Sequence, residues 1–226
     1  MLKRIFSKMK YFRCLDNYPE FNPGSFLVAI FCVMLMIIAT FTQLPLWLFS
    51  MPDAAFINPS DFFANIKSHT EFMKTYSYIP QIPSVLFTAA LLGPRIGLLT
   101  VFIYILIGLL NFPIFASGGG LGYCTERVFG YLFSYFIAVY LVGNIMSARI
   151  TSFSILRATF VGVFSIHVFG ILYLIVIMLL NHNPISAIFG WIWALSGIQL
   201  PYDLLIGYVA ISLARPARTL FWIVMD

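Results

Sequence analysis

The sequence predicts an all-α membrane protein, a six-transmembrane-helix bundle with both termini cytoplasmic. Its 226 residues are 61% hydrophobic and 9% charged, whereas about 25% of the residues in ordinary soluble domains are charged. Charge-free stretches run from Phe21 to Pro52, from Ile96 to Thr125, and between Arg157 and Asp203. A membrane-spanning helix needs about 20 apolar residues, so the chain is expected to cross a membrane several times.

Six spans fit the apolar stretches and the turn signals between them. Turns are indicated by "GPR" at 93–95, by a glycine-rich loop at 115–127 and by "NHNP" at 181–184. The last span is interrupted near Gly197–Pro201. The predicted spans are Phe26–Leu48, Tyr78–Leu92, Ile96–Phe112, Val128–Met146, Ala158–Leu180 and Ile188–Ala214.

The basic residues predict which side of the membrane each loop occupies. With six spans, ten of the 13 Lys and Arg residues lie on the side of the termini, and Lys67, Lys74 and Arg127 lie on the other. Cytoplasmic loops carry an excess of Lys and Arg, so we expect a multi-pass protein of the cell membrane, inner or plasma, with cytoplasmic termini. A seven-span alternative, with 188–200 as a separate helix, would break this sorting.

The chain divides into a basic tail at 1–25, a membrane domain at 26–214 and a second tail at 215–226. The first span is longer than the apolar core of about 7–15 residues in a signal peptide, so a retained helix is predicted. An extracytoplasmic insert occupies residues 50–76. Its apolar positions fit either a helix lying on the outer interface or an ordinary solvated loop helix, and they are Phe62, Phe63, Ile66, Phe72, Met73 and Tyr76.

Asp203 is the residue that most needs an explanation, because it lies inside the apolar run "LPYDLLIGYVA". A carboxylate at the centre of a membrane helix costs about 2.5–3.5 kcal/mol on insertion scales. Pro201 is favourable in a first helical turn, where unpaired backbone N–H groups stabilise a negative charge. Asp203 is therefore a candidate binding residue, with a structural cap or an ion pair with Arg127 as the alternatives.

Other polar positions are weaker candidates. The "SGGGLG" loop lacks the Lys-Ser/Thr of a phosphate-binding loop, but its glycines allow backbone to approach a ligand or another helix closely; a flexible loop is the alternative. His167 and Tyr173 lie within a span, on either side of Gly170, where a close helix crossing is possible. Each could contact a ligand or bond to a neighbouring helix.

The residues do not predict an enzyme, a metal site or a cofactor. No Ser/His/Asp arrangement, HExxH motif or pair of acids within one helix is evident. The three cysteines lack metal-ligand spacing, and a structural disulfide is not expected. The basic residues flank apolar spans, which indicates contact with lipid rather than with nucleic acid.

The stretch "IPQIPSVLFTAALLGPRIGLLTVFIYILIGLLNFPIFASGGGLG" resembles the BioY family, the biotin-binding membrane subunits of energy-coupling factor (ECF) transporters. The resemblance covers residues from about 77 to 214. It departs from the family pattern at Ile206, where the family usually has lysine. The matching residues are Gln81, Gly93, Pro94, Arg95, Tyr104, Gly108, Pro113, Phe115, Gly118, Gly119, Gly130, Tyr131, Pro201, Asp203, Leu204 and Leu205.

The resemblance implies biotin as the ligand and a pocket near the outer face of a six-helix bundle. Asp203 would accept the ureido N–H groups, which form charge-assisted hydrogen bonds with a carboxylate, and Gln81 and Tyr131 would be neutral partners. The backbone of Gly118, Gly119 and Gly120 would enclose the ring, with His167 and Tyr173 as further candidates. Arg127 would bind the carboxylate of biotin, with Lys67 and Lys74 as alternatives.

The resemblance also implies partners, namely a coupling transmembrane subunit and two ATPase subunits, because the chain has no nucleotide-binding motif. Three other interpretations are kept open. The chain could bind another vitamin or lipoate with the same fold; it could be an intramembrane enzyme; or it could be a structural membrane protein.

Overall fold

The computed structural model describes residues 21–49, 73–147 and 151–225, and it divides the chain into two compact units. The described residues between 42 and 79 form the smaller unit, and the other described residues form the larger one. In the described part, the larger unit is helical and the smaller unit contains a two-stranded sheet. The protein is therefore mostly helical, as the composition predicts.

The smaller unit contains a β-hairpin. Strand β1 (Leu44–Phe49) pairs antiparallel with β2 (Met73–Tyr78), with Leu44 opposite Tyr78. The predicted first span to Leu48 and the predicted interfacial helix to Tyr76 are therefore wrong at these residues. The first helix ends at Phe41, because a proline at position 45 would clash with the carbonyl four residues earlier. Residues 50–72 of the insert lie outside the described residues.

The larger unit contains six helices and two short helical turns among its described residues. The turns are a 3₁₀ turn, Leu121–Thr125, and a π-helical turn, Trp193–Gly197. The helices are α1 (Pro23–Phe41), α2 (Gln81–Leu109), α3 (Phe129–Ser147), α4 (Ser152–Leu180), α5 (Ile185–Ile192) and α6 (Leu200–Met225).

In the described part of the chain, five helical segments are long and apolar enough to cross a membrane. Their mean hydropathies lie between 1.3 and 2.6. Large apolar side chains are exposed along these segments, for example Leu172 and Val209. Exposed apolar faces on several long helices are typical of a protein whose solvent is lipid, and the chain is a membrane protein.

Helix α2 folds back on itself at Gly93. The backbone leaves the helical conformation there (φ 76°, ψ −175°), in a region that glycine adopts without strain. Gln81 and Tyr104, which lie on opposite sides of Gly93, form a hydrogen bond of 2.7 Å between Nε2 and the phenol oxygen. In a straight helix these residues would be about 34 Å apart. The two halves of α2 are therefore antiparallel, and the turn predicted at "GPR" is present.

Helices α3 and α4 cross closely because a glycine of each faces a tyrosine of the other. A Cβ atom on Gly130 would lie 2.2 Å from the Cβ of Tyr173, and one on Gly170 would lie 2.5 Å from the ring of Tyr131. Small residues of this kind let membrane helices approach each other. The close crossing predicted at Gly170 is therefore present, and it places Tyr131 against α4.

Helix α6 continues past the predicted end of the last span at Ala214 and reaches Met225. Arg218, which the sequence analysis places in a cytoplasmic tail, is 2% exposed. Its guanidinium donates to the carbonyl of Ala90 from Nε at 2.9 Å and also from a terminal nitrogen. The last carbonyls before Gly93 have no partner within their helix, so Arg218 caps the first half of α2.

Replacing Arg218 with alanine is expected to destabilise the protein, because it leaves the carbonyl of Ala90 buried without this donor. Hydrogen bonds that involve a charged group contribute about 1.5–3 kcal/mol, which for a chain of this size corresponds to a fall of about 3–12 °C in the unfolding midpoint. The measurement is thermal unfolding of the detergent-solubilised protein. Arg215, which is exposed one turn earlier on α6, is the matched control, and an equal effect of Arg215→Ala would contradict the capping role.

Candidate ligand-binding site

Asp203 lies in the first turn of α6 and is fully buried. The sequence predicts this position, because Pro201 favours a helix start nearby. The backbone N–H of Asp203 donates to the carbonyl of Gln199 at 2.9 Å. Its carboxylate oxygen Oδ2 lies 3.2 Å from Nε2 of His167 on α4, which is 2% exposed. A buried carboxylate is therefore held by an imidazole from a neighbouring helix. The ion pair with Arg127, one of the alternatives to a binding role, is not formed among the described residues.

A chain of hydrogen bonds extends from this pair to α3. Nδ1 of His167 lies 2.9 Å from the hydroxyl of Ser196, and that hydroxyl lies 2.7 Å from the phenol oxygen of Tyr131. An ionised Asp203 can only accept, so His167 donates from Nε2 and its Nδ1 accepts from Ser196. Ser196 in turn accepts from Tyr131. The order of the hydrogen bonds fixes the orientation of His167.

Ser196 belongs to the π-helical turn Trp193–Gly197 and is 4% exposed. No motif in the sequence identifies this serine. The available signal is its position beside the predicted helix interruption at Gly197–Pro201, because π-helical turns occur frequently at functional sites. The wider turn between α5 and α6 presents the serine to both His167 and Tyr131.

The sequence predicts no Ser/His/Asp arrangement, and this prediction is wrong for the folded protein. Ser196 is hydrogen-bonded to His167, and His167 is hydrogen-bonded to Asp203. The residues lie 29 and 36 positions apart along the chain, so their proximity follows only from the packing of α4 against α6. The hydroxyl of Ser196 is bonded to Tyr131 as well as to His167. This arrangement holds Asp203 in one orientation.

A second polar group lies between α1 and the two halves of α2. The phenol oxygen of Tyr104 accepts from Nε2 of Gln81 at 2.7 Å and lies 3.2 Å from the hydroxyl of Thr40. The family resemblance implies that Gln81 is a neutral partner of the ligand, and in the structure its side chain is hydrogen-bonded to Tyr104. The sequence does not mark Thr40 as a site residue, because a threonine near the end of an apolar helix carries no distinguishing signal.

The glycine-rich loop is tightly folded against the end of α2. Gly118 and Gly120 have φ angles of 117° and 95°, a region in which residues with a side chain are strained. The N–H of Gly120 donates to the carbonyl of Gly108 at 2.7 Å. A Cβ atom on Gly119 would lie 2.2 Å from the carbonyl oxygen of Phe112. These glycines therefore permit a close approach of the loop to the backbone of its own preceding helix.

Aromatic rings connect this loop to the helices. The ring of Phe115 lies 5.6 Å from that of Tyr104 and 4.6 Å from that of Tyr123. Burial raises the pKa of the Tyr123 phenol above its ordinary value, although hydrogen bonding to Ser117 opposes this effect. The hydroxyl of Tyr173 donates to the carbonyl of Cys124. Tyr173 therefore connects the loop to α4, and its hydroxyl bonds to a backbone carbonyl of the protein itself.

Arg127 lies with its guanidinium carbon 4.8 Å from the ring centroid of Trp191 on α5. This is a cation–π contact. Among the described residues Arg127 forms no ion pair with Glu126 or Asp203. The stacking holds the arginine at the end of the loop that contains the glycines, while the edge of a stacked guanidinium keeps its N–H donors available.

Ile206 lines an apolar groove of about 540 Å³ between α4 and α6. The groove is also lined by Leu156, Phe160 and Val209. Ile206 is an apolar side chain in apolar surroundings, so this position supplies no charge to a ligand.

Several long apolar helices around a fully buried carboxylate define a polytopic membrane protein with a candidate ligand site between its helices. The family model described as the BioY family matches residues 61–221, which is more than half of the chain. The chain belongs to the BioY family, as the sequence motifs predict.

Individual relatives agree with this assignment over shorter stretches. A probable biotin transporter BioY from Lysinibacillus sphaericus is 40% identical over 63 residues, which cover 28% of this chain and 32% of that protein. One from Pyrococcus horikoshii is 33% identical over 64 residues, covering 28% of this chain and 40% of that protein. The matched stretches thus span well under half of the length of these curated relatives.

A solved structure shares the fold. It is the S-component for biotin from an ECF-type ABC transporter, with a TM-score of 0.60 over 86% of this chain and 90% of that chain. The two sequences are 16% identical. The likeness therefore shows the common arrangement of helices.

Replacing Gly119 with alanine is expected to disrupt the loop, because the added Cβ would overlap backbone atoms that cannot move aside. Overpacking costs about 1–3 kcal/mol, which corresponds to a fall of about 2–12 °C in the unfolding midpoint. Gly122 is the matched control, since nothing lies within 4 Å of a Cβ at that position. Thermal unfolding of both variants tests the packing, and a Gly119→Ala variant as stable as Gly122→Ala would contradict it.

Proposed function

We propose that the protein binds biotin as the substrate-binding subunit, or S component, of an ECF transporter in the cell membrane. The observation that carries this proposal is the buried carboxylate of Asp203, oriented by His167 and Ser196, in a chain that belongs to the BioY family. A buried charge in a membrane protein marks a functional site unless it serves packing alone. The protein acts as a binding and transport subunit and not as an enzyme.

Biotin has chemistry that fits this carboxylate. Its ureido ring presents two N–H donors, and charge-assisted hydrogen bonds to a carboxylate are about twice as strong as neutral ones. The imidazole of His167 holds Asp203 in place, and Tyr131 supports the imidazole through Ser196. Gln81, with Tyr104, is a neutral polar partner. The loop that contains Gly118, Gly119 and Gly120, tied to α4 by Tyr173, encloses the ligand.

The fold-back of α2 supports a topology of six spans. Each half of α2 counts as one crossing, and α5 with α6 forms the last crossing. An even number of crossings places both termini on the same side, and the distribution of basic residues favours the cytoplasm. Asp203, at the start of α6, then lies towards the outer face.

An experiment that combines two variants with two ligands tests which part of the ligand Asp203 and Arg127 each bind. Asp203→Asn is expected to weaken biotin and its uncharged amide, biotinamide, by the same factor of about ten- to hundredfold, because both ligands keep the ureido ring. Arg127→Ala is expected to weaken biotin by about three- to tenfold and to leave biotinamide within about twofold, because the amide has no carboxylate for the guanidinium to bind. Affinities are measured by titration calorimetry in detergent.

Glu126→Gln is the control, since Glu126 is an exposed acid next to Arg127. Thiamine, riboflavin and lipoate are titrated against the wild type to test the choice of ligand. Biotin affinity that is unchanged in Asp203→Asn would defeat the role of this carboxylate. Equal losses of both ligands in Arg127→Ala would assign Arg127 to structure, leaving the ligand carboxylate to Lys67, Lys74 or water.

Energy-coupled uptake is assigned to partners, a coupling transmembrane subunit and two ATPase subunits. Membership of the BioY family and the shared fold with an S-component support this assignment. The isolated protein in lipid vesicles is expected to bind biotin without accumulating it when ATP is supplied. Radiolabelled biotin uptake measures this, and accumulation by the isolated chain that depends on ATP would contradict the proposal.

A further inference from the structure

Tyr135 is a buried tyrosine whose hydroxyl lacks a hydrogen-bond partner among the described residues. Its side chain is 2% exposed. The hydroxyl makes no hydrogen bond in the part of the chain that the structure describes. A buried polar group without a partner costs about 1–3 kcal/mol, and most buried hydroxyls in proteins are paired. The position therefore requires an explanation.

The other tyrosines of this region show what is usual here. Tyr104 is bonded to Gln81 and Thr40, Tyr131 to Ser196, Tyr123 to Ser117, and Tyr173 to the carbonyl of Cys124. Each of these phenols has a partner within the protein. Tyr135 differs from them although it is the most completely buried among α3's tyrosines.

The location of Tyr135 indicates what its partner is. It lies four residues after Tyr131 on α3, so both side chains point from the same face of the helix. Its hydroxyl is within electrostatic reach of Tyr104, Asp203 and Tyr123. These groups belong to the Asp203 network, to the polar group around Tyr104 and to the aromatic loop. Tyr135 is thus a buried residue on the face of α3 that carries Tyr131, and its phenol interacts electrostatically with groups of all three parts of the candidate site.

We propose that Tyr135 is a further substrate-binding residue, whose hydroxyl donates a hydrogen bond to the ureido carbonyl oxygen of biotin; this rests on the proposed function. The ureido group has two N–H donors and one carbonyl acceptor. Asp203, as a carboxylate, binds the donors but cannot serve the acceptor. A phenol near Asp203 supplies the missing donor, and binding of the ligand satisfies the buried hydroxyl.

The test is Tyr135→Phe, which removes the hydroxyl and keeps the ring. Biotin affinity is expected to fall about three- to tenfold, the range for one hydrogen bond, and biotinamide affinity is expected to fall equally. The unfolding midpoint of the ligand-free variant is expected to equal or exceed that of the wild type, because the substitution removes an unpaired polar group. Tyr140→Phe is the matched control, since Tyr140 lies on α3 and is 55% exposed.

Each outcome separates the inference from the proposed function. A wild-type protein that does not bind biotin would overturn both. Biotin binding that is equal in the wild type and in Tyr135→Phe would overturn only the inference, and would leave the hydroxyl to water. A loss confined to biotin, with biotinamide unaffected, would place Tyr135 at the carboxylate and overturn its assignment to the ureido group.

Discussion

The hydrogen bond between His167 and Asp203 is the contact on which the organisation of this protein depends. A carboxylate can remain charged between apolar helices only if donors surround it. The imidazole is a suitable donor because its second nitrogen is held by Ser196, so that the ring has a single orientation. The hydrogen bond therefore joins α4 to α6 at this point, and the wider helical turn places Ser196 within reach of His167.

The remaining helices are arranged by close approaches at glycines. Gly130 and Gly170 let the aromatic rings of α3 and α4 lie against the opposite backbone, and this brings Tyr131 to Ser196. Gly93 reverses α2 and brings Gln81 beside Tyr104. Dispersion between closely packed surfaces is the main attraction between helices in lipid. In this protein the same approaches that hold the bundle together also deliver polar side chains to its interior.

The sequence predicts the membrane class, the reversal at "GPR", the helix start near Pro201 and the candidate residues Asp203 and His167, because apolar length, glycine and proline act locally. Tyr131 is a candidate only through the family resemblance. The sequence does not predict the connection between these residues, since His167 and Asp203 meet only through the packing of two helices. Ser196 is missed because it reaches His167 and Tyr131 only through the π-helical turn in which it lies. The strand Leu44–Phe49 is missed because a short apolar run fits a helix or a strand equally well. The end of α6 is misplaced because, in the sequence, a buried arginine cannot be told from an arginine that anchors a helix end at the membrane surface.

The contact between Arg218 and Ala90 has a consequence for biosynthesis. The two residues are 128 positions apart, and chains are made at about 5–20 residues per second. Arg218 is therefore synthesised about 6–26 seconds after Ala90. During that interval the open carbonyls of the first half of α2 need water or a protein that assists insertion. Completion of the cap on the first half of α2 is thus coupled to the arrival of the last helix.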